Sequence, residues 1–164
     1  MSYNLQDSIG GNFALGNWTL TGLSGAATTY TSVAVPFQIK GRAFTKALVS
    51  GGASPTVDGN TGLAMTLTAN QAAAFVWGVN AAGTVTVYKG PTQAWTDTSA
   101  LSTACPLPQL PITVAALAAV VIKGGATTVG TWTFGSSNWN ATGIVIDPVQ
   151  NLGVGGLDVP LITA

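Results

Sequence analysis

Few residues in this chain could do chemistry. Five aspartates (Asp7, Asp58, Asp97, Asp147, Asp158), five basic residues (Lys40, Arg42, Lys46, Lys89, Lys123), the tyrosines Tyr3, Tyr30 and Tyr88, and Cys105 complete the titratable set. There is no histidine and no glutamate. General acid–base catalysis needs a group tuned towards the operating pH, most often His, Glu, Asp or Lys. A Ser-His-Asp relay is therefore excluded, and one cysteine without histidine leaves no zinc site. A glycosidase needs two carboxylates facing each other across a bond. No two aspartates stand closer in sequence than Asp147 and Asp158, which gives that pairing no support. "DGN" at Asp58–Asn60 begins like a calcium loop, but the acidic ligands that should follow are missing, so it reads as a turn. Neither catalysis nor a metal or cofactor is expected. Cys105, alone, reads as a buried thiol.

The five tryptophans are the other candidates, because exposed rings can stack on sugars and buried ones fill cores and interfaces. Trp77 and Trp132 sit in apolar alternating runs and are assigned to the core. Trp95 ("PTQAWTDTS") and Trp139 ("SSNWNAT") have polar neighbours and are the expected exposed rings, for a subunit interface ahead of a ligand. "NWTLTGL" (Asn17–Leu23) and "NWNATGI" (Asn138–Ile144) share N-W-x-x-T-G-aliphatic. Two equivalent aromatic sites would be the functional reading. Chance in a Thr-, Gly- and Asn-rich chain, or a recurring strand-to-turn device, is preferred, since a true repeat architecture shows a regular period. The acceptor patterns at Asn17 and Asn140 carry no weight without a secretion signal.

These residues hang on short β-prone runs, rich in Thr, Val, Ile and aromatics and separated by Gly and Pro, the pattern of an antiparallel sandwich or barrel. Strands are expected over Phe13–Leu20, Thr29–Ile39, Arg42–Ser50, Ala64–Thr68 and Ala74–Val79. Further strands are expected over Thr84–Lys89, Ala118–Lys123, Thr128–Phe134 and Thr142–Ile146. In the hairpin Asn70–Gly90, Phe75, Trp77 and Val79 share a core face with Val85 and Val87, while Thr86 and Tyr88 point towards a neighbour or solvent. "VNAAGT" (Val79–Thr84) is its turn, with Asn80 opening it and Gly83 left-handed. Gly41 marks a second turn, and Ser50–Gly62 is read as a loop. "CPLPQLP" (Cys105–Pro111) is read as an extended crossing segment, because prolines remove ladder donors. "ITVAALAAV" after it has enough alanine for one or two helical turns, although so short a run is ambiguous between helix and strand. The fold class is all-β, a sandwich, jelly roll or barrel with at most one short helical turn.

Length suggests one domain, with an N-terminal arm (1–12), a β domain (13–150) and a C-terminal tail (151–164). Tyr3, Leu5 and Ile9 would be the arm's apolar anchors on a neighbour. The tail, "VGGLDVPLITA", has the same character and could cross a subunit boundary. Charged residues are 6% of the chain and the formal net charge is zero, against about 25% in an ordinary soluble domain. With 47% hydrophobic residues, disorder is a poor explanation, and little repels one copy from the next. The chain reads as part of an assembly. Five scattered basic residues argue against nucleic acid. The longest apolar run, Val114–Ile122, is shorter than the ~20 residues a membrane helix needs. "MSYNLQDSIGG" lacks a basic flank and apolar run, so no signal peptide and a cytosolic origin are expected.

Four stretches, "VPFQIKGRAFTKA" (Val35–Ala47), "TANQAAAFVWGVNAAGTVTVYKG" (Thr68–Gly90), "LPQLP" (Leu107–Pro111) and "VVIKGGATTVGTWTFGSSNWNATG" (Val120–Gly143), resemble small virion structural proteins of tailed bacteriophages. These are the head decoration or cement proteins. The resemblance touches over half the chain in order, through strand and turn patterns. It implies a β-rich fold, often trimeric, bound to the outer capsid. The implied partners are further copies of itself and the major capsid protein. It also implies synthesis in the host cytosol and release by lysis. Tyr88, Trp95 and Trp139 then join the arm residues as guesses at capsid or subunit contact. The alternative is a receptor- or glycan-binding module on a head fibre or tail, resting on Trp95 and Trp139.

Overall fold

A computed structural model describes residues 11–25, 28–96 and 105–153. Its strands are β1 (Phe13–Ala14), β2 (Leu20–Thr21), β3 (Thr29–Ser32), β4 (Val35–Ile39), β5 (Arg42–Lys46), β6 (Val49–Ala53) and β7 (Thr66–Leu67). They continue with β8 (Gln71–Asn80), β9 (Val85–Lys89), β10 (Gln93–Ala94), β11 (Val114–Gly124), β12 (Trp132–Thr133), β13 (Ile144–Ile146) and β14 (Gln150–Asn151). No helix occurs among the described residues, and the class is all-β as expected.

Two long antiparallel strands, β8 and β11, form the spine, in register from Val114 opposite Asn80 to Gly124 opposite Gln71. Short strands line both of their flanks. β9 and β10 run along the free side of β8. β13, β14 and β1 share the free side of β11, and β4 and β5 extend the sheet beyond β1. The β1–β11 contact is parallel, an exception in an otherwise antiparallel sheet. Two smaller sheets, β2–β3–β6 and β7–β12, complete the architecture.

The aromatic hairpin takes the expected faces. Phe75, Trp77, Val79 and Val87 belong to the main core, with Val85 packed at its margin. Rings from the smaller sheets and their loops close over them. Tyr30 lies 4.6 Å from Trp77 and Phe134 4.9 Å from Phe75, ring centre to ring centre. The turn is also as expected. Asn80 Oδ1 accepts from the amides of Ala82 and Thr84 at 3.0 Å each, and Gly83 has φ +78°.

The alanine-rich run is not helical. It belongs to β11, the longest strand. Its register shifts between Ala116 and Ala118, so Ala115 and Leu117 share the core with Ala118, Val120 and Ile122. That bulge changes the phase of the buried positions, and the resulting spacing mimics a helix. The opposite face is buried as well. Ala72, Ala74, Val76, Ala119 and Val121 form a second cluster under Trp95 and Cys105, with Leu110 and Leu152 packed against it. A strand covered on both faces shows a continuous apolar run in place of alternation.

Other boundaries differ because the chain changes sheets within a run. Thr29–Ile39 divides at Val33–Ala34 into β3 and β4, which belong to different sheets. Arg42–Ser50 divides likewise into β5 and β6, and Phe13–Leu20 yields only β1 and the start of β2. Residues 51–53, expected within a loop, belong to β6, which pairs with β3. Cys105–Pro111 forms no strand, consistent with prolines that remove ladder donors. The sheet also runs past the expected domain boundary at residue 150, since Asn151 pairs with Ala118 and Leu152 N donates to Leu117 O.

Candidate functional site

Tyr3, Leu5 and Ile9 lie outside the described residues. The other three residues singled out for contact are buried. Trp139 is 1% exposed, lies tilted against Trp132 and edge-on to Phe134, and donates its indole N–H to Thr29 O at 3.0 Å. The polar neighbours that suggested exposure belong to the turn, while the ring inserts into the main core. Trp95 is 8% exposed and covers the second face of β8 and β11. Tyr88 is 3% exposed, against the expectation that it faces a neighbour or solvent. The turn Asp58–Gly62 folds over it so closely that a Cβ at Gly59 would stand 2.4 Å from its ring. As placed, none of these rings offers a stacking platform.

The paired N-W-x-x-T-G stretches are two uses of one local device. Trp18 and Trp139 are both buried, and Gly22 and Gly143 have φ of +87° and +81°. In each, the ring anchors the chain and the glycine reverses it. The rings sit apart in function: Trp18 meets Tyr30 and Trp77, whereas Trp139 meets Trp132 and Phe134.

Two polar clusters lie within the fold. In the first, Asp58 Oδ2 accepts from Thr61 N (3.1 Å) and Thr61 Oγ1 (2.8 Å), and Oδ1 accepts from Lys89 N (3.0 Å). Gly59 N donates to Val87 O, tying the turn to β9. All three carboxylate contacts are internal, so the "DGN" segment is a turn. Lys89 Nζ donates to Thr66 O at 2.8 Å. Burial lowers the Lys89 pKa, and Asp58 partly opposes that shift. Burial raises that of Tyr88, with a smaller push from Asp58.

In the second cluster, Lys123 Nζ lies 2.8 Å from Asp147 Oδ1 and 5.3 Å from the centre of the Trp95 ring. Cys105 belongs to the same cluster. Burial first, and Asp147 second, raise its pKa, which keeps it a thiol. A nucleophilic cysteine needs the opposite shift. Sequence reading missed this pair. Its one signal was a charge of each sign closing an apolar strand, "AAVVIK" and "GIVID". Among the described residues, no three His, Cys, Asp or Glu side chains gather as a metal site.

The outside presents aliphatic groups and one basic edge. Leu48, Leu63, Ile112 and Val129 are large exposed hydrophobic residues. An open groove of about 520 Å³ runs past Leu20, Leu23, Trp139, Ile144 and Pro148. Lys40, Arg42 and Lys46 all belong to the β4–β5 hairpin at one end of the large sheet. Comparison with protein-family models, curated proteins and solved structures finds no match.

Proposed function

We propose that this protein is a non-enzymatic virion structural protein, a decoration or cement protein that binds the outer surface of a phage head and stabilises the shell. The observation that carries the reading is the inward disposition of its reactive groups. Asp58, Lys89, Lys123, Asp147 and the described tryptophans are used within the fold, while large aliphatic side chains face outward. Exposed apolar surface in a chain with so little charge suits permanent protein contact. The stretches that resemble phage head proteins give that contact its partner. A protein that prefers the assembled shell over its free subunits stabilises the shell by mass action.

The test is binding to expanded, undecorated phage heads. Co-sedimentation to saturation, with raised thermal stability of the heads, is the expected result. Heads that neither retain the protein nor gain stability at saturating concentrations overturn the reading.

A further inference from the structure

We propose that the open edge of β5 accepts an added strand from residues 154–164 of a second copy of this chain. Those residues lie outside the described ones, and four observations on the described residues point to them.

The first is the edge itself. β5 ends the path β11–β1–β4–β5, and among the described residues nothing pairs with its far side. Its register fixes which groups face outward. Leu15 N donates to Pro36 O, so Pro36 turns its carbonyl towards β1. Val35, Phe37 and Ile39 then face β5, opposite Lys46, Phe44 and Arg42. Because N–H and C=O direction alternates along a strand, Ala43 and Thr45 present theirs to the open edge. Such an edge is a template for strand addition.

The second is charge. Lys40, Arg42 and Lys46 make this hairpin basic, whereas Lys89 and Lys123 are engaged inside the fold. Asp58 and Asp147 are engaged too. The remaining acids, Asp7, Asp97 and Asp158, belong to segments outside the described residues, and Asp158 lies in the run Leu157–Leu161, where apolar residues take every second position.

The third is parity. Pro160 has no N–H, so in an added strand it must face away from β5. Asp158 and Ile162 then face away with it, leaving Leu157, Val159 and Leu161 to bond Ala43 and Thr45. Antiparallel pairing of Leu157 with Thr45 and Val159 with Ala43 places Asp158 opposite Phe44, diagonally between Arg42 and Lys46. Leu157 then extends the cross-strand row in which Leu15 bonds Pro36 and Pro36 pairs with Thr45.

The fourth is reach, which selects a second copy. Gly153 lies against Gly16, in line with β1, where a Cβ would stand 2.4 Å from Gly16 O. The new strand position is three interstrand spacings away, about 14 Å even along a straight line. Gly153 to Leu157 spans at most about 13–14 Å when fully extended, which leaves no slack for the detour over the side chains of β4 and β5. A neighbouring copy carries no such restriction. The inference stands apart from the capsid reading, because its readouts are the protein's own mass and amide exchange.

Full-length protein is measured by light scattering and hydrogen exchange, beside Asp158→Lys and Val159→Pro. The unaltered chain is expected as an oligomer with protected amides at Ala43 and Thr45. Each variant should weaken self-association at least about tenfold and release those two amides. The Phe44 amide, already bonded to β4, should stay protected, and the far-UV spectrum should not change. Arg42→Asp with Lys46→Asp should restore association of Asp158→Lys. A monomeric unaltered chain overturns the proposal, whether or not the edge is protected. Oligomers unaffected by either variant overturn it equally.

Discussion

Lys123 and Asp147 meet at the end of β11 with Nζ 2.8 Å from Oδ1, and the Trp95 ring lies 5.3 Å from the ammonium group. The pair closes an otherwise apolar face, and Asp147 Oδ2 is buried without a hydrogen-bond partner. Removing one partner from a buried pair leaves an uncompensated charge, a cost of about 3–5 kcal/mol. Asp147→Ala should lower stability by that order in urea unfolding. Lys123→Met combined with Asp147→Leu should recover most of the loss, because an apolar replacement of both avoids the stranded charge. A double variant as unstable as the single one counts against this account.

Asp58 organises the turn that covers Tyr88. Asp58→Ala deprives Lys89 N and both Thr61 donors of their acceptor, with an expected cost of about 1–3 kcal/mol. Tyr88 should become more accessible to quenchers in the variant. Calcium at millimolar concentration should leave the Tm of the unaltered protein unchanged, since the carboxylate is already occupied by protein donors. A calcium-dependent rise in Tm that Asp58→Ala abolishes would reinstate a cation site.

Gly22 and Gly143 occupy the same place in the two N-W-x-x-T-G stretches and both take positive φ, yet their surroundings differ. A Cβ at Gly22 meets nothing nearer than Thr31 N at 3.6 Å, whereas at Gly143 it would stand 2.4 Å from Thr128 N. Gly22→Ala should cost about 1–2 kcal/mol, the backbone penalty alone. Gly143→Ala adds a steric clash with backbone and should cost clearly more. Equal losses by urea unfolding would contradict the difference in packing.

Alternation placed Phe75, Trp77, Val79 and Val87 correctly because β8 pairs with β9 without a bulge, so the phase of its large side chains is kept although both faces of β8 are covered. It failed in β11, where the bulge at Leu117 broke the phase and both faces were covered. It failed for Trp139 and Trp95 because local polarity describes the turn around a ring, and the ring's burial is decided by distant elements. The Lys123–Asp147 pair and the turn over Tyr88 depend on contacts between residues far apart in sequence, which no local window contains. The basic β4–β5 hairpin was legible as residues, "IKGRAFTK", but its position at the sheet edge was not.

Alkaline pH should destabilise the protein. Burial raises the pKa of Tyr30 from its ordinary 10.0, and burial again leads the rise for Tyr88. Cys105 is raised from 9.0, chiefly by burial. In the unfolded chain these groups lose their protons near the ordinary values, while the folded protein still holds them. Between the two, the folded state binds more protons, so stability falls as pH rises. Lys89 acts in the opposite sense. Its folded pKa is below the ordinary 10.5, so the unfolded chain binds more protons and stability rises over that interval. Three groups oppose one, and the net expectation is a plateau near neutrality followed by a decline above about pH 9. Urea unfolding from pH 7 to 11 measures it directly. Tyr30→Phe should flatten the decline, since burial alone raises that hydroxyl. Stability that climbs steadily through pH 10 would show that Lys89 dominates and that the tyrosines ionise freely in the folded state.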